Sequence, residues 1–299
     1  MKQNFKVLKR KCIVLAQKFK DAGLDKAAHD LLSCSTIIAT IIDADTHDVT
    51  HNTNLCKNRF CPVCAIGKQL NHTADIDDLL KEMQAQNQPI YATALTLTLK
   101  SVEYTDIADT IDTYKKAWTK LINRKFIKNI LLGYLYYIEV TYTSNEYCHP
   151  HMHVILFFKN KFAMCIPQTF WQKEWASATD ANYNPQIKTN PLKSINDIVN
   201  YAHYCSKPMD INNVDNNILA TIVLQFTHKR LFAMSKSLRF FSRNVKYKKK
   251  SLHKNQHRYY KLISVWHQTN YKVYGVEQQT FSLLPPYKPR YYSGAPPVT

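Results

Sequence analysis

The sequence predicts an α+β fold in which helices flank an antiparallel sheet. Residues 91–100 alternate leucine with threonine, which is the period of a strand with one apolar face. Two apolar runs, 133–142 and 152–158, are separated by the polar segment 143–147, and this pattern is typical of an antiparallel hairpin. Residues 106–129 instead repeat apolar side chains at three- and four-residue spacing, which predicts a helix.

The composition indicates a folded chain with a polyanionic partner. The 299 residues are 45% hydrophobic and 12% aromatic and include only 5 glycines, which excludes disordered and collagen-like chains. The formal net charge is +18, and residues 216–299 carry fifteen Lys and Arg against one acidic residue. This asymmetry favours a segment that binds nucleic acid; the alternative is a basic tail that only aids solubility.

No segment of the sequence predicts export or insertion into a membrane. The basic N-terminus lacks a small-residue cleavage site, and no run approaches the roughly 18 uncharged apolar residues of a membrane span. We therefore expect a cytoplasmic protein with reduced thiols. Its eight cysteines then require a metal site or a core role rather than disulfides.

The N-terminal region begins with a helical pattern. Residues 5–32 carry apolar side chains at helical spacing with a break near Gly23, and the β-branched run 36–42 follows. A polar connector that contains His47 and His51 then leads to a cluster of cysteines. We assign residues 1–88 to an N-terminal helical and zinc-binding region.

The cysteine cluster predicts a structural zinc site. Cys56, Cys61 and Cys64 lie within nine residues, and the last two form a C-x-x-C pair that can chelate one ion through a tight turn. A core role is less favoured because the intervening loop is polar. Zinc in a closed structural site needs four ligands. The candidates for the fourth ligand are Cys34, which is the nearest remaining thiol, His51 and His72.

The histidines of the second hairpin strand predict a catalytic metal site. Residues two apart share a face of a strand, so His151 and His153 point the same way. A turn centred on Asn145 places Glu139 opposite His151 on that face, and His149 is the competing third ligand. A mixed His and carboxylate site suits Mg²⁺ or Mn²⁺ and leaves positions open for a phosphate oxygen.

A capped helix follows the hairpin. Ser194 and Asp197 form a capping-box pattern, which predicts that the helix starts at Ile195. Pro208 disfavours helical geometry at the residue before it, so we expect the helix to end near Ser206.

The tyrosines of this helix are candidate nucleophiles. Tyr201 and Tyr204 stand three residues apart on one face, and Lys207 extends that face if the last turn persists. A phenol is a poor nucleophile at neutral pH, but a nearby metal or lysine would activate it. The alternative interpretation is that both tyrosines are packing aromatics of an amphipathic helix.

The remaining C-terminal elements are less sharply predicted. Residues 168–178 suit a helix, and 216–226 suit either a helix or a strand. We assign residues 89–245 to a catalytic domain and expect the Tyr- and Pro-rich tail 246–299 to be less ordered, or to order on binding. Tyr247, Tyr259 and Tyr260 are suited to stack on unpaired bases. The candidate DNA-binding cations are Arg239, Arg243, Lys246, Lys248, Lys249, Lys250, Lys254 and Arg258.

Together these motifs resemble the replication initiators of rolling-circle plasmids, which belong to the His-hydrophobic-His (HUH) endonuclease superfamily. The resemblance runs from about Cys34 to Lys246 and implies a five-stranded, ferredoxin-like or RRM-like antiparallel sheet with the histidine pair on a central strand. The motifs are Cys34 with the Cys56–Cys64 cluster, the strand Ala94–Lys100, Glu139–Tyr142, His149–Val154 and Tyr204–Asp210.

The resemblance also implies an activity. Tyr204 would attack the scissile phosphate at the plasmid's double-strand origin, a metal held by His151 and His153 would polarise it, and a 5′-phosphotyrosyl link and a 3′-OH primer would form. Relatives often carry a Glu one helical turn before the tyrosine, where this chain has Asn200, and Tyr201 is the candidate second nucleophile. The implied partners are origin DNA, single-stranded or in an extruded hairpin, a host helicase and a host polymerase; the oligomeric state, including a dimer, stays open.

Two alternative functions remain at this point. A mobilisation relaxase or single-strand transposase of the same superfamily uses the same residues. A zinc-containing DNA-binding regulator without catalytic activity is the alternative from a different class.

Overall fold

The structure is a computed structural model that describes residues 4–45, 47–142, 147–252 and 257–281, without the side chains of 246–258 and 277–281. It divides into two compact units, Met1–Ala74 with Lys246–Thr299 and Asp75–Val245. The α-helices of the described residues are α1 (Phe5–Asp21), α2 (Asp25–Ser33), α3 (Pro62–Ala85), α4 (Ile107–Ile122), α5 (Lys125–Ile130), α6 (Gln168–Thr179), α7 (Ile195–Cys205), α8 (Asn216–Gln225) and α9 (Lys236–Leu252). The strands are β1 (Ile37–Asp43), β2 (Val49–Thr53), β3 (Tyr91–Thr98), β4 (Val102–Glu103), β5 (Leu131–Tyr142), β6 (Tyr147–Phe158), β7 (Ile187–Leu192), β8 (Phe232–Met234), β9 (His257–His267) and β10 (Asn270–Phe281).

The unit formed by residues 75–245 is built on an antiparallel sheet. Its strand order is β7-β3-β6-β5-β8, and the two-residue β4 pairs with β6 beside this path. The predicted antiparallel sheet with flanking helices is therefore confirmed, and the histidine strand β6 lies at its centre. The edge strands β7 and β8 escaped prediction because β7 contains Pro191 and β8 has only three residues.

The register of the sheet places the candidate site residues side by side. Glu139 on β5 pairs with His151 on β6, as the hairpin predicts, and the predicted turn centre at Asn145 lies outside the described residues. Across the other edge of β6, Thr96 pairs with His153. Since directly paired residues share a sheet face, these four side chains lie on one face.

The same face is apolar at one end and polar at the other. Ala94 lies two residues before Thr96 on β3, and Ile155 lies two residues after His153 on β6. Leu135 on β5 pairs with Ile155, and all three side chains are buried. Helices α3, α7 and the start of α9 cover this apolar end, so the polar end is left beside the C-terminal end of α7. The buried cluster consists of Ile76, Leu79, Leu80, Met83, Ala92, Ala94, Leu135, Tyr137, Ile155, Phe157, Leu192, Ile198, Ala202, Cys205, Leu238 and Phe241.

Large aromatic side chains fill the opposite face, beneath α4 and α6. The Trp118 ring lies 5.1 Å from that of Tyr134, and the Tyr114 ring lies 5.6 Å from that of Trp175. The helix predicted over 106–129 is divided, since α4 ends at Ile122 and α5 begins at Lys125. The undecided segment 216–226 is the helix α8.

Gly133 on β5 permits a close approach of the segment that begins α9. A Cβ atom at this position would lie 2.7 Å from Leu238 Cγ and from Ser235 Oγ, which is closer than real contacts allow. The Ser235 amide donates a hydrogen bond to the Tyr134 carbonyl at 2.8 Å. The start of α9 is thereby attached directly to the sheet.

The unit that contains the N-terminus has its own antiparallel sheet, in the order β10-β9-β1-β2. The predicted break in the first helical segment is confirmed, since Gly23 adopts a left-handed conformation with φ +73° between α1 and α2. The polar connector that contains His51 forms the strand β2.

Within the described residues, the C-terminal region is not the less ordered tail that its composition predicts. β9 pairs with β1 over seven positions, from Ile37 opposite Val265 to Asp43 opposite Tyr259. Charged residues and proline dominate the overall composition of this region. The composition therefore did not indicate the strand β9, which its aromatic and β-branched residues favour. The structure thus groups 246–299 with 1–74, whereas the sequence predicts three consecutive regions, because strand pairing joins the two ends of the chain.

Two hydrogen bonds attach β10 and β9 to the residues that follow Cys34. The Tyr271 hydroxyl donates to the Ser35 carbonyl oxygen, and the Trp266 amide donates to the Thr36 carbonyl oxygen at 2.7 Å. The pairing of β9 with β1 therefore extends to the beginning of β1.

None of the helices in the described segments combines the length and the apolar character that a membrane crossing requires.

Candidate functional site

Glu139 contacts both a histidine and a lysine at the polar end of the sheet. Its Oε2 atom lies 2.9 Å from His153 Nε2, and its Oε1 atom accepts a hydrogen bond from Lys207 Nζ at 2.8 Å. The side chains of His153 and Glu139 are 8% and 16% exposed, whereas that of Lys207 is 41% exposed. One carboxylate thus joins the histidine strand to Lys207, the second residue after the last helical residue Cys205.

The charges of this group are set by its contacts. Burial acts to raise the pKa of Glu139, but the hydrogen bonds and charges of His153 and Lys207 outweigh it and lower the pKa to about 2. Burial acts to lower the pKa of Lys207, but the same ion pair raises it overall. At neutral pH the pair is therefore a carboxylate beside an ammonium group.

His149 and His151 are neutral at the same pH. Burial, together with the neighbouring His149 and His153, lowers the pKa of His151 to about 4, and burial lowers the pKa of His149. His151 Nε2 lies 3.3 Å from Thr141 Oγ1, and His149 Nδ1 lies 3.1 Å from Ser101 Oγ. A neutral imidazole is the form that binds a metal ion.

The donor set of this site fits a divalent ion. His151 and His153 present imidazoles on one face with ring centroids 6.0 Å apart, and Glu139 adds an ionised carboxylate. Two imidazoles and one carboxylate suit Mn²⁺ or Mg²⁺ with positions left for substrate oxygens. The ligand atoms are not gathered as closely as those of the cysteine cluster, because His151 and His153 direct their Nε2 atoms at different partners on β5.

Helix α7 carries Tyr204 to this site. The capping box of Ser194 and Asp197 starts the helix at Ile195 as predicted, and it ends at Cys205, one residue before the predicted end. Its buried face packs on the sheet through Ile198, Ala202 and Cys205.

Tyr204 is open to solvent beside the histidine and the lysine. The residue is 53% exposed, and its ring centroid lies 6.0 Å from that of His153. Lys207 Nζ lies 4.6 Å from the centre of the same ring. The structure thus brings the predicted tyrosine, lysine and histidine together.

Tyr201 lies in a different environment. Its hydroxyl lies 3.4 Å from His153 Nδ1 and 3.3 Å from Thr96 Oγ1. Burial raises the pKa of Tyr201 above its usual value. Asn200, at the position where relatives often carry a Glu, is exposed on α7.

Three hydroxyl side chains that sequence reasoning missed complete the site. Thr96 Oγ1 lies 3.3 Å from His153 Nδ1, while Thr141 and Ser101 contact the other two histidines. The signal for Thr96 was present, since the alternation that predicts β3 also assigns its threonines to one face. Nothing in the sequence marked Ser101.

The four predicted cysteines form a compact group. Within the described residues, Cys34, Cys56, Cys61 and Cys64 are the only set of three or more His, Cys, Asp and Glu whose ligand atoms all lie within 4.8 Å of one another. The Sγ atom of Cys34 lies 3.5 Å from that of Cys61 and 3.6 Å from that of Cys64. Four Zn–S bonds of about 2.3 Å in a tetrahedron separate the sulfurs by about 3.8 Å, so this group can hold a metal such as zinc.

The other two candidates for the fourth zinc ligand, His51 and His72, are not members of this group of described residues. His51 Nδ1 is 3.0 Å from Thr40 Oγ1 on β1, and burial lowers its pKa. Burial, with a contribution from the charge of Lys68, lowers the pKa of His72 to about 4. Cys34 is therefore the fourth member of the group.

The start of α3 presents two of the thiols. Pro62 occupies the first helical position, which its fixed φ suits, so that Cys61 and Cys64 flank the first turn. The positive end of the helix dipole favours thiolates at this place. Lys57, which follows Cys56, adopts a left-handed backbone conformation with φ +60°.

A buried lysine and a fifth thiol adjoin the group. Lys9 is 1% exposed, and its ammonium group donates hydrogen bonds to the carbonyl oxygens of Leu32 and Cys34. Cys12 Sγ lies 3.6 Å from Cys61 Sγ, and hydrogen bonding from Cys12 lowers the pKa of Cys61. In the described part of the chain Lys9 forms no ion pair with a carboxylate.

The structure places most of the candidate DNA-binding cations on or after α9. Arg239 and Arg243 are exposed and stand one helical turn apart. Lys246, Lys248, Lys249 and Lys250 belong to the same helix and Arg258 to β9, while their side chains and all of Lys254 lie outside the described residues. The side chain of Tyr247 on α9 also lies outside the described residues. On β9, Tyr260 is 43% exposed, whereas Tyr259 is 8% exposed.

Comparison with known proteins places the chain among replication proteins. Residues 47–274 match the model of the family described as replication protein (Rep_1). A protein named Protein rep from Staphylococcus aureus is 27% identical over 205 residues, which cover 65% of this chain and 88% of that protein. Another Protein rep, from Streptococcus pneumoniae serotype 2 (strain D39 / NCTC 7466), is 23% identical over 240 residues, with coverage of 76% and 75%.

A third Protein rep, from Lentilactobacillus hilgardii, is 27% identical over 191 residues, which cover 61% of each chain. No solved structure matches the chain. The family match spans three of the four grouped cysteines and the tyrosine helix, in agreement with the plasmid rolling-circle initiators that the motifs resemble. The chain belongs to the Rep_1 replication protein family.

Proposed function

We propose that this plasmid replication initiator nicks one strand at the double-strand origin by transesterification through Tyr204 and later rejoins that strand. The observation that carries the proposal is the placement of an exposed Tyr204 ring 6.0 Å from His153 and 4.6 Å from Lys207 Nζ. The family match favours this activity over a relaxase, a transposase or a regulator without catalytic activity.

The reaction exchanges one ester for another. The Tyr204 oxygen forms a bond to phosphorus, the bond from phosphorus to O3′ breaks, and a 5′-phosphotyrosyl link and a 3′-OH result. The phenol proton leaves to solvent, to which Tyr204 is open, and O3′ takes up a proton. Because the number of phosphate esters is unchanged, rejoining needs no nucleotide cofactor.

Lys207 stabilises the attacking oxygen. Its raised pKa keeps it protonated, so it acts as a cation beside the developing phenolate and not as a base. Glu139 holds this ammonium group at 2.8 Å and thereby fixes it over the Tyr204 ring.

His151, His153 and Glu139 would hold Mg²⁺ or Mn²⁺, which would polarise the scissile phosphate. His149 is the alternative to Glu139 as third ligand, but Glu139 contacts His153 directly and His149 contacts Ser101. A neutral His151 and an ionised Glu139 are in their ligand forms at neutral pH.

The cysteine group is proposed to hold a structural Zn²⁺. Sulfur separations of 3.5 to 3.7 Å match a tetrahedral site, and four protein thiolates leave no position for substrate. Zinc with four thiolates carries a net charge of −2, which offsets the buried ammonium group of Lys9.

The basic residues of α9 and β9 would contact DNA phosphates, while a host helicase and a host polymerase would act at the 3′-OH. The place of action would be the bacterial cytoplasm, on plasmid DNA. Single-stranded or hairpin-extruded origin DNA is the proposed substrate, as the resemblance implies, and the 53% exposed Tyr204 is accessible to such a strand.

Covalent capture tests the proposed reaction. Purified protein with MnCl₂ is incubated with overlapping single-stranded oligonucleotides that tile both strands of the DNA carrying its gene. An oligonucleotide labelled at its 3′ end should transfer its label to the protein, whereas a 5′ label should stay on the shorter free fragment. Tyr204→Phe should abolish the labelled adduct because it lacks the attacking oxygen.

Tyr142→Phe is the matched control, because it removes a hydroxyl that contacts Met209 Sδ and not the site histidines. It should form the adduct at the rate of the unmodified chain. An undiminished adduct in Tyr204→Phe would disprove the assignment of the nucleophile.

A further inference from the structure

Tyr201 differs from Tyr204 in what its hydroxyl can reach. The Tyr201 hydroxyl lies within 3.4 Å of both His153 Nδ1 and Thr96 Oγ1, and its ring packs against the buried cluster between α7 and the sheet. The Tyr204 ring is 53% exposed. The two tyrosines are therefore not equivalent nucleophiles, although they lie three residues apart on one helix.

We propose that Tyr201 is a positioning residue whose hydroxyl, together with that of Thr96, holds the His153 ring with Nε2 directed at Glu139 and the divalent ion. This inference rests on the proposed function, since it concerns the same metal site. It replaces the role of second nucleophile that the sequence suggests.

Hydroxyl groups from two elements lie beside one ring nitrogen of His153 on β6. β3 supplies Thr96, whose Oγ1 lies 3.3 Å from His153 Nδ1, and α7 supplies Tyr201 at 3.4 Å. The two hydroxyls also lie 3.3 Å from each other. Because Thr96 and His153 are directly paired across β3 and β6, the position of this contact is fixed by the register of the sheet.

Hydroxyl groups suit this position because they serve both tautomers of the histidine. When Nε2 carries the proton, it donates to Glu139, and Nδ1 accepts a hydrogen bond from a hydroxyl. When Nε2 uses its lone pair for a metal ion, Nδ1 carries the proton and donates to a hydroxyl oxygen. The ring can thus take either state without rotating.

Loss of the hydroxyl should weaken metal binding. Partners of ligand histidines typically contribute about 10- to 100-fold to metal affinity. We expect Tyr201→Phe to bind Mn²⁺ about tenfold more weakly in isothermal titration calorimetry with MnCl₂, and Thr96→Val/Tyr201→Phe about 100-fold more weakly. Tyr142→Phe is the control and should bind as the unmodified chain does.

The imidazole ¹⁵N NMR signals of His153 give a readout that does not depend on activity. In the unmodified metal-free protein, Nε2 of His153 should carry the proton. The metal-bound state is measured with Mg²⁺, because Mg²⁺ is diamagnetic and Mn²⁺ is not. In that state the proton should lie on Nδ1. In Thr96→Val/Tyr201→Phe, which leaves Nδ1 without these hydroxyl partners, the His153 ¹⁵N signals should shift in the metal-free state, and more Mg²⁺ should be needed to reach the bound signals.

Adduct formation separates positioning from nucleophilic attack. Tyr201→Phe should still form the adduct with the tiled oligonucleotides, more slowly, and a higher MnCl₂ concentration should restore the rate. Tyr204→Phe, which keeps Tyr201, should form none. An adduct in Tyr204→Phe that disappears in Tyr201→Phe/Tyr204→Phe would show that Tyr201 attacks, and would overturn the inference.

The remaining outcomes distinguish this inference from the proposed function. If Tyr201→Phe and Thr96→Val/Tyr201→Phe bind Mn²⁺ as tightly as the unmodified chain and leave the His153 signals unchanged, positioning is overturned and the nicking reaction stands. If the unmodified chain binds Mn²⁺ no more tightly than His151→Ala, the metal site of the proposed function fails, and the inference fails with it.

Discussion

Lys207 illustrates how a single cation can serve two neighbours. Its Nζ atom is 2.8 Å from Glu139 Oε1 and 4.6 Å from the centre of the Tyr204 ring. The anchoring carboxylate is mostly buried, while the lysine and the tyrosine are open to solvent. The contact to Glu139 therefore restricts the positions that the ammonium group can take to a region beside the Tyr204 phenol.

Replacement of Lys207 by methionine should slow adduct formation by about tenfold. A preorganised charged donor at a reacting oxygen contributes about 100- to 1000-fold, and this value is reduced because the side chain is 41% exposed. The single-turnover rate of label transfer to the protein is the measurement. Lys161→Met, at an exposed position beyond the far end of β6, is the control, and equal rates in the two variants would exclude a role for Lys207.

Among the individual residues, periodicity made the histidine pair and its carboxylate predictable. Side chains of a strand repeat their direction every two residues, so His151 and His153 had to share a face. A hairpin turn centred on Asn145 then placed Glu139 opposite His151. The environment of Tyr201 was not predictable, because helical spacing puts it on the same face as Tyr204 without showing how deeply each ring is buried. Burial depends on the tertiary packing of α7, which one sequence does not encode locally.

At the scale of elements, the start of α3 combines a helix terminus with a group of cysteines that can hold a metal ion. Cys61 and Cys64 lie on either side of Pro62, and the remaining thiols come from the loop at Cys56 and from the segment after α2. Three separate pieces of chain therefore meet at one group of sulfurs. A metal ion at this group would fix all three at once.

Cys64→Ser should lose the bound zinc and lower the thermal midpoint of unfolding. A serine hydroxyl is a poor ligand for zinc, and three thiols do not close a structural site. Zinc is measured by atomic emission on protein purified without added metal, and unfolding by circular dichroism. Cys165→Ser, at an exposed cysteine outside the group, should keep both values. Equal zinc content in the two variants would contradict the proposed site.

Long patterned elements were predictable and short or charged ones were not. The hairpin β5 and β6 and the capped helix α7 follow from patterns within about a dozen residues. β8 has only three residues, and although β9 pairs locally with β10, its other partner β1 lies more than two hundred positions away, so no local pattern reports that second pairing.

Across the whole chain, the charge is concentrated in a region that also completes a sheet. β9 pairs with β1, and Tyr271 donates a hydrogen bond to Ser35 beside Cys34. Deleting residues 246–299 would therefore remove the neighbour of β1 together with the charge. Substitution of individual exposed cations is the better way to measure their contribution to DNA binding.

Arg239→Gln/Arg243→Gln should reduce the salt dependence of DNA binding. For single strands, each neutralised phosphate contributes about −0.7 to the slope of log K against log salt, so two lost contacts should flatten it by about 1.4. Fluorescence anisotropy with a labelled single-stranded oligonucleotide supplies the slope. Lys125→Gln/Lys128→Gln, which removes the same charge from exposed positions of α5, should leave it unchanged. A flattening of similar size in this control would show that bulk charge alone is responsible.

The partnership of β1 with β9 has a consequence for synthesis on the ribosome. Residues 75–245 form a contiguous unit that can fold as soon as it has emerged, whereas β1 must wait for a strand translated more than two hundred residues later. β1 can pair with β2 at once, but its other edge stays unpaired until β9 has been made. A messenger RNA that is truncated after codon 245 would yield a nascent chain with an intact tyrosine site and an unfinished N-terminal sheet.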